Sequence, residues 1–246
     1  MKTFKPQLLP NDPAGSVPDW ETRLKTIQDY LISPKLDGAR VEIAMDSPVR
    51  GRSLKVINNV QIQKMRDEFQ HELGSFGGIF EGEFYSPEMT FPEIMHFFKT
   101  EDVTSEKTRK KYEKLWAKTN GDSSLGWTYP GRSVEWLCTW HDSLKFYMFD
   151  YCLQSELTKQ ERYDMMVDAF SYGKPECAML IPQHTLEEID QFYQMYDQAI
   201  IDNQEGLVII NKNAKYKFGR LTDKSKMGWK AKETNLEFDG IIVDVL

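Results

Sequence analysis

The chain has 246 residues, of which 40% are hydrophobic and 28% charged; this composition can fill the core of one large or two small domains and argues against disorder. Its longest apolar run is residues 177–181, far short of the about 20 residues that a membrane-spanning helix needs. The formal net charge is −7, so any nucleic-acid-binding surface must be a local basic patch. The N-terminus meets proline and aspartate before any apolar stretch, which argues against a signal peptide. The three cysteines lie far apart and one is left over from any pairing, which suits a reducing cytoplasm, and their spacing fits no zinc site.

The N-terminal half begins with segments of little regular structure. Turn formers dominate 5–19, which we expect to be a surface arm, and 20–30 has the character of a short helix or an irregular lead-in. The elements that follow are predicted from apolar periodicity and turn residues. They are a strand from Leu31, a turn at Asp37-Gly38, a strand over 40–45, a helix over 58–73 and a strand over Ile79–Tyr85.

The C-terminal half starts with a segment, about 100–144, that we interpret as an insertion with its own helix. The elements predicted after it are a strand over Lys145–Cys152, helices beginning at the capping-box pairs Thr158/Glu161 and Thr185/Glu188, and strands over Gly206–Asn211, Gly228–Lys232 and 240–246. Helices interleaved with strands in different contexts predict an α+β domain with mixed or antiparallel sheets.

One lysine has a position suited to nucleophilic chemistry. Lys35 ends the first predicted strand just before a tight turn, so a fixed backbone can direct its amine inward. An amine that is partly desolvated and held beside other cations loses its proton more easily and becomes a nucleophile. The alternative interpretation is an exposed hairpin with a solvated lysine, and turn statistics alone favour that alternative.

Acidic and basic pairs on other predicted strands suit a phosphate and metal site. Glu81 and Glu83 share one strand face because side chains alternate with a period of two, and Glu205 opens another strand. Carboxylates that face one cavity would supply oxygen ligands for Mg²⁺. Lys230 and Lys232 also share a face and could hold phosphate oxygens. For each pair, the alternative is a solvated strand face.

Six short motifs follow one another in a fixed order: SPKLDGAR (33–40), GRS (51–53), FEGEFY (80–85), YMFDY (147–151), EGLVI (205–209) and WKAK (229–232). Their order and spacing resemble the covalent nucleotidyltransferase superfamily of ATP-dependent DNA ligases, RNA ligases and mRNA capping enzymes. The stretch AKYKFGR (214–220), with SPKLDG and EFDGII, resembles more specifically the small viral and phage ATP-dependent DNA ligases. The resemblance covers about 30–100 and 145–246.

This resemblance implies a fold and a domain plan. The fold would be an α+β nucleotidyltransferase domain (ATP-grasp-like, as in DNA ligase adenylation), with two mainly antiparallel sheets flanked by helices and the nucleotide site between them. The domain would span 1–238, with the insertion at about 100–144. Residues 239–246 would then begin a C-terminal OB-fold domain that the chain lacks.

The resemblance also implies a reaction and the residues that carry it. Lys35 would attack ATP to form lysyl-AMP, AMP would pass to the 5′-phosphate of a nick, and the 3′-hydroxyl would seal it. The residues implied in ATP binding are Ser33 near adenine N6, Arg40 in the nucleophile motif, Arg52 and Glu83 at the ribose, Phe149 stacked on adenine, and Lys230 and Lys232 at the α-phosphate. Glu83 and Glu205 would bind Mg²⁺ or Mn²⁺. DNA phosphates would contact Arg52 and a basic hairpin of Lys215, Lys217 and Arg220.

Several alternatives remain open. Phe149 could be an ordinary core residue, Arg52 a surface arginine, and the basic hairpin a solvated edge. The insertion could contact DNA through the basic side chains Lys107, Arg109, Lys110, Lys111 and Lys114, or be a solvated helical excursion. Other candidate functions are an RNA ligase, which AKYKFGR disfavours, a capping guanylyltransferase, and a non-catalytic nucleic-acid-binding module. The expected partners are ATP and nicked duplex DNA, bound by a monomer in the cytoplasm (that of a host cell if the protein is viral).

Overall fold

The computed structural model describes residues 5–10, 20–45, 47–129, 131–139, 142–152, 156–222 and 225–232. Its strands are β1 (Gln7–Leu8), β2 (Tyr30–Lys35), β3 (Ala39–Ala44), β4 (Arg50–Gly51), β5 (Ile79–Tyr85), β6 (Lys145–Cys152), β7 (Ala178–Leu180), β8 (Gly206–Asn211), β9 (Gly219–Arg220) and β10 (Gly228–Lys232). Its α-helices are α1 (Trp20–Arg23), α2 (Val60–Leu73), α3 (Phe91–Lys99), α4 (Glu106–Thr119), α5 (Val134–Thr139), α6 (Lys159–Tyr172) and α7 (Ile189–Ile201). No α-helix in these ranges is long and apolar enough to cross a membrane.

Two sheets carry most of the strands. The larger has five strands in the order β4-β3-β5-β6-β7, antiparallel except for the parallel pair β6 and β7. The smaller has three antiparallel strands in the order β10-β8-β2. The predicted α+β fold with two mainly antiparallel sheets is therefore confirmed, and β5, β6, β8 and β10 match the predicted strands.

The turn at Asp37-Gly38 does not close a hairpin. β2 pairs with β8 in the smaller sheet, while β3 pairs with β5 in the larger one, so the chain crosses between sheets within residues 36–38. Gly38 is required at this crossing, because a Cβ there would lie 2.6 Å from the carbonyl oxygen of Phe84. The alternative of an exposed hairpin is wrong, and Lys35 ends a strand that faces the other sheet.

The N-terminal arm is only partly at the surface. β1 pairs in parallel with β9, and both Gln7 and Leu9 are buried. The expectation of a surface arm over 5–19 is therefore wrong for these residues, since the backbone of β9 offers hydrogen bonds that turn statistics cannot anticipate. Residues 11–19, the predicted strand over 240–246 and the proposed domain start at 239–246 lie outside the described residues.

Of the two helix starts predicted from capping boxes, one is confirmed and the other is shifted along the chain. Thr158 caps α6 in a reciprocal box with Glu161, as predicted. The other predicted cap, Thr185, is three residues too early: Glu188 caps α7 in a box with Gln191, and the helix begins at Ile189. A carboxylate at the N-cap accepts the same backbone hydrogen bonds as a hydroxyl, so both spacings fit a box.

The insertion over 100–144 is folded onto the main core. Tyr112 of α4 and the fully buried Trp127 belong to the same apolar cluster as Phe69 of α2 and Phe80 of β5. The indole N–H of Trp127 donates to the carbonyl oxygen of Tyr129 at 2.6 Å. The predicted helix of the insertion is present as α4, and its buried side anchors it to the domain.

Candidate active site

A cavity of about 940 Å³ opens between the two sheets. Its lining includes residues from both sheets and from the loops that join them. Among them are eight side chains singled out from the motifs: Ser33, Lys35, Arg40, Arg52, Glu83, Phe149, Glu205 and Lys230. Residues far apart in the sequence therefore converge on one space large enough for a nucleotide.

Lys35 is the last residue of β2 and lies close to two acidic residues, Asp37 and Glu205. Its Nζ donates to Oε2 of Glu205, and the backbone N–H of Glu205 donates to the carbonyl oxygen of Lys35 at 2.9 Å. Burial opposes ionisation of Glu205, but the hydrogen bond and charge of Lys35 lower its pKa. Burial, reinforced by Glu205, raises the pKa of Asp37. The amine is thus held in a fixed place by an ionised carboxylate.

Gly206, next to Glu205, makes this arrangement possible. Its φ is +124°, and a Cβ there would collide with the carbonyl oxygen of Ala231 on β10. The glycine therefore lets β8 begin against β10 without displacing it. The EG pair of the fifth motif combines a functional carboxylate with a residue that the backbone needs.

Glu83 and Lys230 both have strongly shifted pKa values inside the cavity. Burial raises the pKa of Glu83 to about 8, although the charges of Arg40 and Lys35 oppose the shift. Burial and the nearby charges of Lys35 and Arg52 lower the pKa of Lys230 to about 8. An anion such as phosphate placed among Lys35, Arg52 and Lys230 would relieve the repulsion between these cations.

Two carboxylates in the cavity could bind a magnesium ion whose remaining ligands come from the substrate. The Oε2 atom of Glu83 is buried and has no hydrogen-bond partner among the described residues. Glu205 contributes the second carboxylate, and the described part of the chain holds no group of three acidic, cysteine or histidine side chains arranged for a metal. Mg²⁺ is commonly bound by one or two carboxylates together with phosphate oxygens and water.

Phe149 presents an aromatic ring to the cavity beside Arg40. The guanidinium carbon of Arg40 lies 5.1 Å from the ring centroid, within cation–π range. Arg40 itself is held by Glu81, whose Oε1 accepts from Nη2 at 2.9 Å, while Oε2 of Glu81 accepts from the hydroxyl of Tyr216 at 2.6 Å. Glu81 therefore positions Arg40 and is not in the cavity lining, although it shares a strand face with Glu83.

A buried charge cluster supports the backbone of Phe149. The carbonyl oxygen of Phe149 accepts from Nζ of Lys159 at 2.6 Å and from Nε2 of Gln183 at 2.7 Å. Asp150 accepts from Nε and Nη2 of Arg162 at 2.8 and 3.2 Å and lies 3.3 Å from Nζ of Lys159. Lys159 and Gln183 line the cavity, and the motif analysis did not identify them.

Four predicted site residues lie outside the cavity lining. Lys232 is exposed, but its charge acts on Asp37 and Glu205 at the cavity mouth. Lys215 is exposed and pairs with Glu156 at 2.7 Å, and Lys217 and Arg220 are exposed. The predicted basic hairpin is wrong, because Arg220 lies in β9, which pairs with β1, and Lys215 bridges to Thr158 of another segment.

Comparisons with known proteins agree with this geometry. A family model described as an ATP-dependent DNA ligase domain matches residues 14–232, while a search of the curated proteins finds no match. The fold resembles the Chlorella virus DNA ligase–adenylate, with a TM-score of 0.62 and 18% identity over 93% of this chain and 68% of that one. It also resembles a Lig E DNA ligase, with a TM-score of 0.62 and 18% identity; the match covers 94% of this chain and 69% of that one. For the ATP-dependent DNA ligase of bacteriophage T7 in complex with ATP, the TM-score is 0.55 and the identity is 14%; the match covers 93% of this chain and 68% of that one.

Proposed function

Because the chain belongs to the ATP-dependent DNA ligase domain family, we propose that it joins nicks in duplex DNA through a lysyl-AMP formed on Lys35. The observation that carries this assignment is the convergence of Lys35, Glu83, Phe149, Glu205 and Lys230 on one cavity between the sheets. These side chains supply a nucleophile, two oxygen ligands, a stacking surface and a phosphate-binding cation.

The first step conserves atoms and charge. Nζ of Lys35 gives a proton to solvent and attacks the α-phosphorus of ATP; an N–P bond forms, the bond from the α-phosphorus to the bridging oxygen of the β-phosphate breaks, and pyrophosphate leaves with that oxygen, while the second amine proton also passes to solvent. Glu205 keeps the amine oriented before attack, since its Oε2 accepts a hydrogen bond from that atom. In-line attack needs the amine about 3–3.5 Å from phosphorus, and a fixed strand end supplies that placement. AMP then passes to the 5′-phosphate of the nick, and the 3′-hydroxyl displaces it.

The rest of the cavity suits recognition of ATP. Phe149 offers a ring on which adenine stacks, an interaction of about 1–3 kcal/mol per base. In this assignment Ser33 of β2 would contact the adenine edge, Arg52 the ribose, and Lys230 the α-phosphate, while Arg40 of the nucleophile motif lies over the ring of Phe149. The repulsion between Lys230 and the other cations supports this role, because it is relieved when an anion binds.

Glu83 and Glu205 are the residues that would hold a divalent metal. The orphaned Oε2 of Glu83 supports this assignment. A bound Mg²⁺ or Mn²⁺ would neutralise charge that develops on the transferring phosphate. The positive charge of Lys232 at the cavity mouth lowers the pKa of Glu205 and so favours its ionised form.

The proposal is tested by mass spectrometry of the intact chain after incubation with ATP and Mg²⁺. We expect wild type to gain the mass of one AMP, bound through an acid-labile N–P bond, and Lys35→Ala to gain none. The matched control is Lys55→Ala, since Lys55 is exposed and lies outside the cavity. Sealing of a nicked DNA duplex should follow the same pattern. An AMP adduct on Lys35→Ala would refute the assignment of the nucleophile.

A further inference from the structure

Helix α4 separates its positive charges into two groups. It carries the basic residues Lys107, Arg109, Lys110, Lys111, Lys114 and Lys118 and the acidic residues Glu106 and Glu113. Arg109 donates to Glu113 at 3.0 Å and to Glu135 at 2.8 Å, and Lys110 pairs with Glu106 at 2.5 Å. The other four lysines form what we call the lysine stripe.

The lysine stripe consists of Lys107, Lys111, Lys114 and Lys118, all of them exposed. Their spacing of four, three and four residues confines them to an arc of about 60° on one helix face, along about 16 Å of axis. Among the described residues, none of the four has an acidic partner within ion-pair distance. In a chain with a net charge of −7, this face concentrates positive charge that nothing in the described part of the protein neutralises.

The lysine stripe lies one helix away from the cavity. Phe91, Met95 and Phe98 of α3 line the cavity, while His96 on another side of α3 lies 2.8 Å from the hydroxyl of Tyr112 on α4. Burial, together with the charges of Lys111 and Lys99, lowers the pKa of His96. Helix α3 therefore lies between the cavity and α4, and the charge of Lys111 in the lysine stripe reaches α3.

We propose that the lysine stripe binds the phosphate backbone of duplex DNA on one side of the nick; this rests on the proposed function, in which the nick lies at the cavity. Lysine acts as a point charge toward phosphate and needs no fixed geometry. Duplex DNA carries one charge per about 1.7 Å of axis, so about 16 Å of helix faces several phosphates. The ion pairs of Arg109 and Lys110 leave those two residues outside the contact.

The test compares two double variants that remove the same charge from the same helix. Lys111→Gln/Lys114→Gln neutralises the lysine stripe, and Arg109→Gln/Lys110→Gln neutralises paired residues. Binding of a nicked duplex is titrated without ATP between about 50 and 200 mM salt. The slope of log affinity against log salt should become shallower by about 1.8 in the stripe variant, at about 0.9 per lost contact, and stay close to wild type in the control.

The proposal would be overturned by an equal change of slope in both double variants or by an unchanged slope in the stripe variant. It would also be overturned if the stripe variant lost as much affinity for a single-stranded oligonucleotide as for the nicked duplex. Lysyl-AMP formation should remain at the wild-type level in both variants, so its loss in the stripe variant alone would mean that α4 supports the cavity and not DNA. If wild type forms no lysyl-AMP, the proposed function fails, while the slope comparison still decides the role of the lysine stripe.

Discussion

Asp150 is the residue whose replacement should most disturb both the fold and the nucleotide site. It is 3% exposed and is bound by Arg162, which is 0% exposed, and by Lys159, which is 1% exposed. Asp150→Asn keeps the shape of the side chain and removes its charge. Two buried cations would then face a neutral amide.

The cost follows from the buried geometry. Removing one partner of a buried ion pair typically costs about 3–5 kcal/mol, because the remaining charge has no compensation. Burial alone would raise the pKa of Asp150, but the charges of Arg162 and Lys159 lower it to about 2. The pKa of a free aspartate, which applies in the unfolded chain, is 3.8. At every pH above that pKa the ionised carboxylate therefore stabilises the fold by about 2 kcal/mol relative to a free aspartate. That contribution is lost as the pH falls through about 2.

The assay is urea unfolding followed by tryptophan fluorescence at neutral pH and along a series down to acid pH. We expect Asp150→Asn to lower the free energy of unfolding by about 3–5 kcal/mol at neutral pH. The variant should also lack the part of the wild-type decrease in stability at acid pH that comes from protonation of Asp150. The matched control is Asp168→Asn, the same substitution at an exposed position of α6.

The same variant should weaken ATP use. Lys159 holds the carbonyl oxygen of Phe149 at 2.6 Å and depends on Asp150 for its compensating charge, so the stacking ring loses part of its support. If Asp150→Asn unfolds at the same urea concentration as Asp168→Asn, the buried cluster does not stabilise the domain and the reasoning is refuted.

Two further predictions concern single side chains. Phe149→Ala should weaken the apparent ATP affinity in the lysyl-AMP assay by about 1–3 kcal/mol, and Phe149→Trp by less; equal losses would make Phe149 a purely structural residue. Tyr216→Phe removes the hydroxyl that donates to Glu81 at 2.6 Å and accepts from the backbone N–H of Gln7 at 3.0 Å. It should cost about 2–3 kcal/mol in urea unfolding, whereas Tyr172→Phe, at a residue that is 84% exposed, should cost almost nothing.

The strands could be predicted where local pattern and tertiary environment agree. The residues of β5, β6, β8 and β10 match the predicted ranges. β1 could not be predicted, because two residues carry no periodicity and the strand exists only through its pairing with β9. The start of α7 was missed because two capping-box spacings overlap in that segment.

The candidate site shows the same division. The motifs identify side chains that line the cavity, since each motif lies on a strand or a turn whose local pattern is visible in the sequence. Gln183 and Lys159 act through the carbonyl oxygen of Phe149, and nothing local to either residue marks that contact. Asp37 was recognised only as a turn former, although its pKa is raised by burial and by Glu205.

The crossing between β2 and β3 explains why a lysine before a tight turn lines a cavity here. A hairpin would place both strands in one sheet and leave Lys35 at a solvated edge. Gly38 instead lets the chain pass where a Cβ would lie only 2.6 Å from the carbonyl oxygen of Phe84, so β3 joins β5 while β2 joins β8. The two sheets then face each other across the residues of a single motif, with Lys35 on one side and Arg40 on the other. The Asp37-Gly38 pair thus marks the crossing beside which the cavity opens. Whether such a pair closes a hairpin or makes a crossing is decided by the distant strands β5 and β8, with which β3 and β2 pair.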